Sequence, residues 1–546
     1  MAEKITQYSL GKNPDDRIAE LERQILEDLD IRAKLDARIR HNREVRNSYT
    51  LTHRLPFDIL SGIFVIYIQG EEERTWEGYS KLDPNRFSCI THVCRHWRIV
   101  ALGTPILWCN PDFRFPRMAE EMLKRSGRAP LEICVLSAEG TALMTKTLSS
   151  EFERTSALHI SCPEWPVSKT LIQLSQPAPI LKRLVLDGSQ SGYRYAVALP
   201  RNFLGGRAPE LRHLYLNCFR VPLISPVYRN LASVAIGLMV HSSVPDLLLL
   251  LSETMELQSL SLWGSLSSLD SIDRGIPQLV FSPRLKHACL SFQIRHLETL
   301  LHHMVFPETT SVKIDCTFGR YAIGDKEKLA ALSTMALDVL HPGHIISIQA
   351  AYTEDRRSVL GEKLPHTIDI WTSNPIPGPI TAEFCKEPCY LQQPTVPRLR
   401  IGLGWVPMSM GEAIEVIFPA SILNHLQSFE NKSTRKYEDD RVYPESFKFL
   451  PRLAVLTLMQ HGAVATFARS AKGPEAGADK YPALRRIQIV NINYTLAEWD
   501  SAFKRQWNIL KWLHKWCVSG RNVSLTFSGC DFTSTQRSYL KLEEGR

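Results

Sequence analysis

Six segments of this chain share one pattern, a turn residue followed by leucines in a short apolar alternation. They are Pro179-Ile180-Leu181-Lys182-Arg183-Leu184-Val185-Leu186, Pro209-Glu210-Leu211-Arg212-His213-Leu214-Tyr215-Leu216, Leu257-Gln258-Ser259-Leu260-Ser261-Leu262, Pro283-Arg284-Leu285-Lys286-His287-Ala288-Cys289-Leu290, Pro451-Arg452-Leu453-Ala454-Val455-Leu456-Thr457-Leu458 and Pro482-Ala483-Leu484-Arg485-Arg486-Ile487-Gln488-Ile489. Pro397-Arg398-Leu399 is a weaker copy. The better-spaced copies lie about 28–31 residues apart, and a wider gap runs from Cys316 to Pro397. In an extended segment, side chains alternate between two faces. Leu184 and Leu186 therefore point one way, and Arg183, Val185 and Asp187 the other. Each copy buries one face only and must stack on its neighbours to make a core.

At 546 residues the chain is too long for one ordinary core. Its hydrophobic share of 44% and charged share of 22% are normal for a folded protein. A net charge of +8 without a basic stripe gives no reason to expect nucleic acid. No apolar run is long enough to span a bilayer; Val244 to Leu251 is interrupted by Pro245 and Asp246. The polar stretch Met1 to Leu10 lacks the apolar core of a secretory signal. Twelve scattered cysteines fit free thiols in a reducing compartment. The expectation is a chain of the cytoplasm and/or nucleus, neither secreted nor membrane-bound.

Residues 1–50 form a first region. After Pro14 and the acids Asp15 and Asp16, Ile18, Leu21, Ile25, Leu29, Leu35 and Ile39 recur at helical spacing. Asp28 and Arg32 interrupt the seam. Two readings stay open. One is a short coiled coil giving weak self-association through residues 15–45; the other is a helix packed on its own protein, or a frayed leader. Residues 51–110 form a second region with two amphipathic patterns. Ile59, Leu60, Ile63, Phe64 and Tyr67 make one stripe; Phe87, Ile90, Val93, Cys94, Trp97 and Val100 make the other. Two such short helices need each other and a further surface to bury both stripes.

The second region opens Leu55-Pro56-Phe57-Asp58-Ile59-Leu60-Ser61-Gly62-Ile63-Phe64 and closes Val93-Cys94-Arg95-His96-Trp97-Arg98, then Thr104-Pro105-Ile106-Leu107-Trp108. This resembles an F-box, the helical module that docks an adaptor protein onto a Skp–cullin ubiquitin ligase. The segment Gly70 to Asn85 is longer than the usual F-box linker. Met118 to Ile133 follows as helix, Ser126-Gly127 stop and strand, similar to the arrangement in the large mushroom-type fungal F-box families. The Leu-x-x-Leu-x-Leu kernel of the third region, 111–546, resembles the leucine-rich repeat.

The fold class these resemblances imply is α + α/β: an N-terminal helix and small helical F-box, then an irregular leucine-rich-repeat-like α/β solenoid. They imply a substrate-recognition adaptor rather than an enzyme. Its partners would be a Skp-type adaptor, through it a cullin, and an unidentified target protein, with no cofactor. Residues carried over to Skp-adaptor binding are Leu55, Pro56, Ile59, Leu60, Ile63, Phe64, Val93, Cys94 and Trp97. On the repeats, residues alternating with the buried leucines would face the target: Arg183, Asp187, His213, Tyr215, Asn217 and Trp263, with Ser261, His287, Thr457, Met459, Arg486 and Gln488 in equivalent places. Tyr215 and Trp263 are the preferred anchors, since aromatic residues dominate binding hot spots. Two rivals to this reading remain: a repeat scaffold whose F-box has drifted and no longer docks, and a hydrolase using the Cys and His content.

The remaining chemistry is sparse. Cys89, His92, Cys94 and His96 do not make a tetrahedral zinc set, because on one helix Cys89 and His96 lie about 10 Å apart. Cys385 and Cys389 are a lone thiol pair. His302 and His303 sit in an amphipathic run, Leu297 to Val305, and are expected on its surface. Phosphate-loop, zinc-protease and Gly-x-Ser-x-Gly patterns are absent. Lys326 to Leu340 has a helical pattern, and Ser470 to Asp479 reads as a loop. The stripe Leu496, Trp499, Phe503, Trp507, Leu510 and Leu513 predicts the last helix; Asn522 to Phe527 predicts the last strand.

Overall fold

The structure, a computed structural model, describes residues 14–69, 89–136, 138–162, 167–189, 197–220, 222, 225–238, 244–264, 266, 278–317, 345–352, 366–372, 376–377, 395–396, 399–403, 425–432, 450–459, 461–472, 481–490, 492–495, 501–519 and 523–542. The expected helix at Lys326–Leu340, the Cys385–Cys389 pair and the Gly70–Asn85 linker lie outside these residues. The chain divides into two compact units, the first formed by Met1–Val135, Glu139–Met144 and Arg154–Ser156 and the second by the remainder.

The first unit begins with helix α1, Pro14–Ser48, whose acidic first turn and basic last turn match the helix dipole. Side-chain pairs one turn apart support it: Arg23 bonds Glu20 and Glu27, and Lys34 bonds Asp30 at 2.6 Å. The reading of α1 as a helix packed on its own protein does not hold, because its aliphatic stripe from Ile18 to Ile39 stays exposed.

Helix α2, Phe57–Gln69, starts one residue after Pro56, whose carbonyl accepts the Leu60 N–H at 3.0 Å. The expected single helix through Phe87–Val100 is instead broken. One turn at 89–91 ends in a bend at His92 and Val93, and helix α3, Arg95–Leu102, starts afresh. Cys94 is the reason. Its extended backbone and side chain cap the new helix, Sγ accepting the Trp97 N–H at 3.5 Å. Gly103 closes α3 by donating to the Ile99 carbonyl. Helix α4, Pro116–Ser126, has Pro116 in its first turn and Gly127 at its end.

These pieces enclose one apolar core of Leu60, Phe64, Ile68, Ile90, Val100, Ala101, Leu107, Trp108 and Met122. The Trp108 indole N–H donates to the Ala101 carbonyl at 2.9 Å, and the Arg125 guanidinium lies 4.8 Å over its ring. The unit ends in strand β1, Leu131–Val135, beside which Arg154 donates to the Ala129 carbonyl and the Ser126 hydroxyl.

The second unit is mixed helix and strand around a large, mostly parallel sheet. Its strands are β2 (Thr155–Ile160, starting in the first unit), β3 (Arg183–Asp187), β4 (His213–Asn217), β5 (Ser233–Leu238), β6 (Ser259–Gly264), β7 (His287–Gln293) and β8 (Ser311–Thr317). They continue with β9 (Ile345–Tyr352), β10 (His366–Thr372), β11 (Leu399–Leu403), β12 (Ser428–Lys432), β13 (Val455–Leu458), β14 (Arg486–Val490) and β15 (Ser524–Ser528). The order from β2 is sequential and parallel to β8, then β11-β10-β9-β12, then sequential to β15. β10 runs antiparallel to both β9 and β11. The regular winding therefore breaks where the sequence copies stop, between Cys316 and Pro397.

The repeated sequence pattern has a local cause. In Ala178-Pro179-Ile180-Leu181 and Ala208-Pro209-Glu210-Leu211, proline sits second in a turn closed by a bond from the leucine N–H. The same turn recurs at Ser282–Leu285, Leu450–Leu453 and Tyr481–Leu484. Each of these leucines is buried. The next two N–H groups bond one carbonyl just before the preceding strand: Arg212 and His213 to Lys182, Ala232 and Ser233 to Arg212, Gln258 and Ser259 to Ala232, and Lys286 and His287 to Gln258. This fixes the register. Leu158, Leu184, Leu214, Val234, Leu260, Ala288 and Val312 align as one buried row, and Ile160, Leu186, Leu216, Ile236, Leu262, Leu290 and Ile314 as the next.

Helices α5 (Val244–Ser252), α6 (Ile294–His303), α7 (His461–Lys472) and α8 (Ser501–Val518) connect strands. His303 is buried, not on the surface as expected. Ser470 belongs to α7 rather than to a loop. Leu510 and Leu513 of α8 are buried as the stripe requires, while Leu496 and Trp499 lie outside the described residues. β15 is not the end: helix α9, Ser534–Leu540, follows, held by a reciprocal cap between Thr533 and Gln536.

Truncating the first core should be costly and truncating its surface should not. Phe64→Ala is expected to destabilise the first unit by about 3–5 kcal/mol, whereas Ile59→Ala should cost under about 1 kcal/mol. Urea-dependent proteolysis with cleavages assigned inside residues 57–108 reads this difference.

Candidate functional site

Two surfaces are candidates, one in each unit. In the first unit the nine residues expected to meet a Skp-type adaptor divide by burial. Leu60 and Phe64 are both 1% exposed and form the unit's own core. Trp97 is half-buried with its ring 5.0 Å from that of Phe64, and Leu55 packs on the same cluster. Cys94 is half-buried as a helix cap. Pro56, Ile59, Ile63 and Val93 are exposed.

The helical period explains the division. On α2, Leu60, Phe64 and Ile68 form one stripe and turn inward. Ile59, Ile63, Ile66 and Tyr67 form a second stripe, and all four are exposed. Ile99 and Ile106 add exposed apolar groups from α3 and the turn after it. A small unit thus carries apolar side chains on two sides of one helix and buries only one side. Contiguous exposed apolar surface of this kind marks an interaction site.

Sequence reasoning missed a histidine pair in this unit. His53 and His96, distant in sequence, bring their rings within 4.3 Å. Burial, then the neighbouring His53, holds the His96 pKa below its ordinary value.

In the second unit the polar face of the parallel sheet carries the residues expected to meet a target. Register places Arg183 beside His213, Asp187 beside Asn217, and Tyr215 beside Ala235. The chosen anchors come together: the Tyr215 and Trp263 rings lie 5.4 Å apart. They reach across β5, whose residues on this face are Ala235 and Gly237. A Cβ at Gly237 would run into Asn217 Oδ1 and the Trp263 indole. The lack of a side chain there is what lets the aromatic pair lie over the strand.

Asp187 and Asn217 are structural as well as surface groups. Asn217 Nδ2 donates to Asp187 Oδ1 at 2.9 Å, the Ser189 N–H donates to the same oxygen, and the Ser161 hydroxyl reaches Oδ2 at 3.5 Å. They tie together the ends of adjacent strands. Ser261, His287, Met459 and Gln488 are half-buried, Arg486 is exposed, and Thr457, expected exposed, is buried. His159, not singled out in the sequence, shares this face and pairs in register with Val185. Burial pushes its pKa down to about 4 despite the opposing pull of Asp187.

Among the described residues no group of three or more His, Cys, Asp or Glu could hold a metal ion, and no helix is long and apolar enough to cross a membrane. No protein-family model matches the chain, and no curated protein matches it.

The sheet face should be acid-sensitive. His159 has a folded pKa below its unfolded value, so the unfolded chain binds its proton more readily. Its contribution is complete above about pH 6.5 and is lost as pH falls toward 4. Burial shifts His213 and His287 in the same direction. Unfolding free energy is expected to fall by about 2–3 kcal/mol from His159 alone between pH 7 and 4.5. Urea titrations at both pH values should show the drop, with a shallower one in His159→Gln.

Proposed function

We propose that this protein is the substrate-recognition adaptor of an SCF-type cullin ubiquitin ligase. The helical unit around residues 51–110 is read as an F-box that docks a Skp-type adaptor, and through it a cullin. The sheet unit is read as an irregular leucine-rich-repeat-like solenoid that binds a target protein. The chain itself carries out no chemistry in this reading. It raises the effective concentration of a captured target beside a ubiquitin-charged enzyme bound elsewhere in the complex.

The observation that carries the reading is the second, exposed apolar stripe of α2. Ile59, Ile63 and Ile66 stay exposed outside the unit's core, and the Leu-Pro start and the Val-Cys-x-x-Trp segment frame them. The solenoid reading is supported by parallel strands with aligned leucine rows and by the double bond to one carbonyl repeated at six strand starts. On the polar face, the Tyr215–Trp263 pair is the target anchor we favour, with Arg183 and His213 beside it.

One observation favours the alternative of a repeat scaffold with a drifted F-box. Leu60 and Phe64, assigned by resemblance to the adaptor interface, are consumed by the unit's own core.

The two readings separate experimentally. The parent chain should co-purify with a Skp-type adaptor. Ile59→Asp with Ile63→Asp should weaken that binding by about 100-fold or more while leaving the fold intact, because both positions are exposed. An unchanged interaction in the double variant, or none in the parent, would favour the scaffold.

A further inference from the structure

Helix α1 carries six exposed aliphatic residues at helical spacing. Ile18, Leu21, Ile25, Leu29, Leu35 and Ile39 are each at least 40% exposed, and all fall within one third of the helix circumference at 100° per residue. At heptad spacing, positions 18, 25, 32 and 39 alternate with 21, 28, 35 and 42 to make one seam. The seam residues that are not aliphatic are Asp28, Arg32 and Asn42. Opposite charges at the centre of an otherwise apolar seam select among partners, since each needs a counter-charge when buried.

We propose that α1 pairs with α1 of a second copy of this chain as an antiparallel two-stranded coiled coil, centred on Asp30. In that register each seam layer joins residues whose numbers sum to a constant. Leu21 meets Ile39 of the second copy, Ile25 meets Leu35, and Asp28 meets Arg32. Symmetry repeats each pairing, so the two seam charges of one copy are neutralised by those of the other. Leu29 and Ile31, exposed at 53% and 62%, each meet their own equivalent on opposite flanks of the central layers. They close the two ion pairs off from water. Arg32 also stands 4.0 Å from Asp36 on its own helix, which offsets the approach of Glu22 of the second copy to that carboxylate.

A parallel, in-register pair fails the same test. It sets Asp28 against Asp28 and Arg32 against Arg32, and it brings Arg38 toward Arg43 of the other helix. Charge complementarity therefore selects both the occupant and the direction. With a rise of about 1.5 Å per residue, the two copies of Ser48 stand about 54 Å apart. The two docking units would then follow from opposite ends of the pair. The inference does not rest on adaptor docking.

The test uses the full chain. Sedimentation velocity should give a dimer at micromolar concentration. Asp28→Arg alone and Arg32→Asp alone should each weaken dimerisation by about ten-fold or more, and the double exchange Asp28→Arg/Arg32→Asp should restore it. For direction, chains bearing Leu21→Cys and Ile39→Cys are mixed under mild oxidation. A disulfide between the two different chains, absent in the parent, is the expected product. Circular dichroism checks that helix content is unchanged, which is expected because all four positions are on the surface. A monomer at all concentrations up to about 100 µM, a dimer indifferent to both charge reversals, or Leu21→Cys chains cross-linking only with themselves would overturn the proposal.

Discussion

At the start of six strands in the second unit, two consecutive backbone N–H groups share one carbonyl just before the preceding strand. Everything on the two faces of the sheet follows from that bond pair. It pins the register, and because side chains alternate, a slip of one residue would exchange the faces. With the register pinned, the two buried rows from β2 to β8 join leucine and isoleucine to leucine, isoleucine, valine or alanine. The polar residues have no choice but to share the other face, where His159, Tyr215 and Trp263 lie. The Pro-x-Leu turn matters because it delivers the chain to that point with its leucine already buried.

The first unit solves a different problem. Its core is small, and Trp108, Phe64 and Met122 supply much of its bulk. One side of α2 suffices to complete that core, and Ile59, Ile63 and Ile66 of its second stripe stay exposed. Apolar side chains left facing solvent are the physical basis for proposing a docking role for the unit. The same argument applies to α1, whose seam aliphatics are comparably exposed. There, opposite charges in the seam add direction to what would otherwise be unspecific stickiness.

Much of this was legible in the sequence. Every full copy of the leucine pattern became a turn, a buried leucine and a strand, since proline geometry and side-chain alternation are local effects. The copies that escaped notice lack those markers. β5 (Ser233–Leu238) and β8 (Ser311–Thr317) use Val234, Ile236, Val312 and Ile314 in place of leucine, and no proline occupies the second turn position before them. β10 falls in the stretch between Cys316 and Pro397 that carries no leucine copy, and it pairs antiparallel with its chain neighbours β9 and β11. α9 had a readable signal in Thr533 and Gln536 at capping-box spacing, which the apolar pattern alone did not reveal.

The site was less legible than the fold. Spacing alone could not divide Ile59 and Ile63 from Leu60 and Phe64, because both pairs lie on apolar stripes and only packing decides which is spent on the core. Cys94 looked like a packing residue and is a helix cap, since nothing in the periodicity forecasts a bend at Val93. The Tyr215–Trp263 pair was foreseeable as two exposed aromatics. Their meeting depends on Gly237 in a strand that the pattern missed.

The most direct test of the account is hydrogen–deuterium exchange on the full chain with and without a Skp-type adaptor. Docking through the exposed stripe predicts slowed exchange in peptides spanning residues 56–69 and 93–106, with the sheet strands unchanged. Unchanged exchange in both helical segments, or protection confined to the sheet, would contradict it.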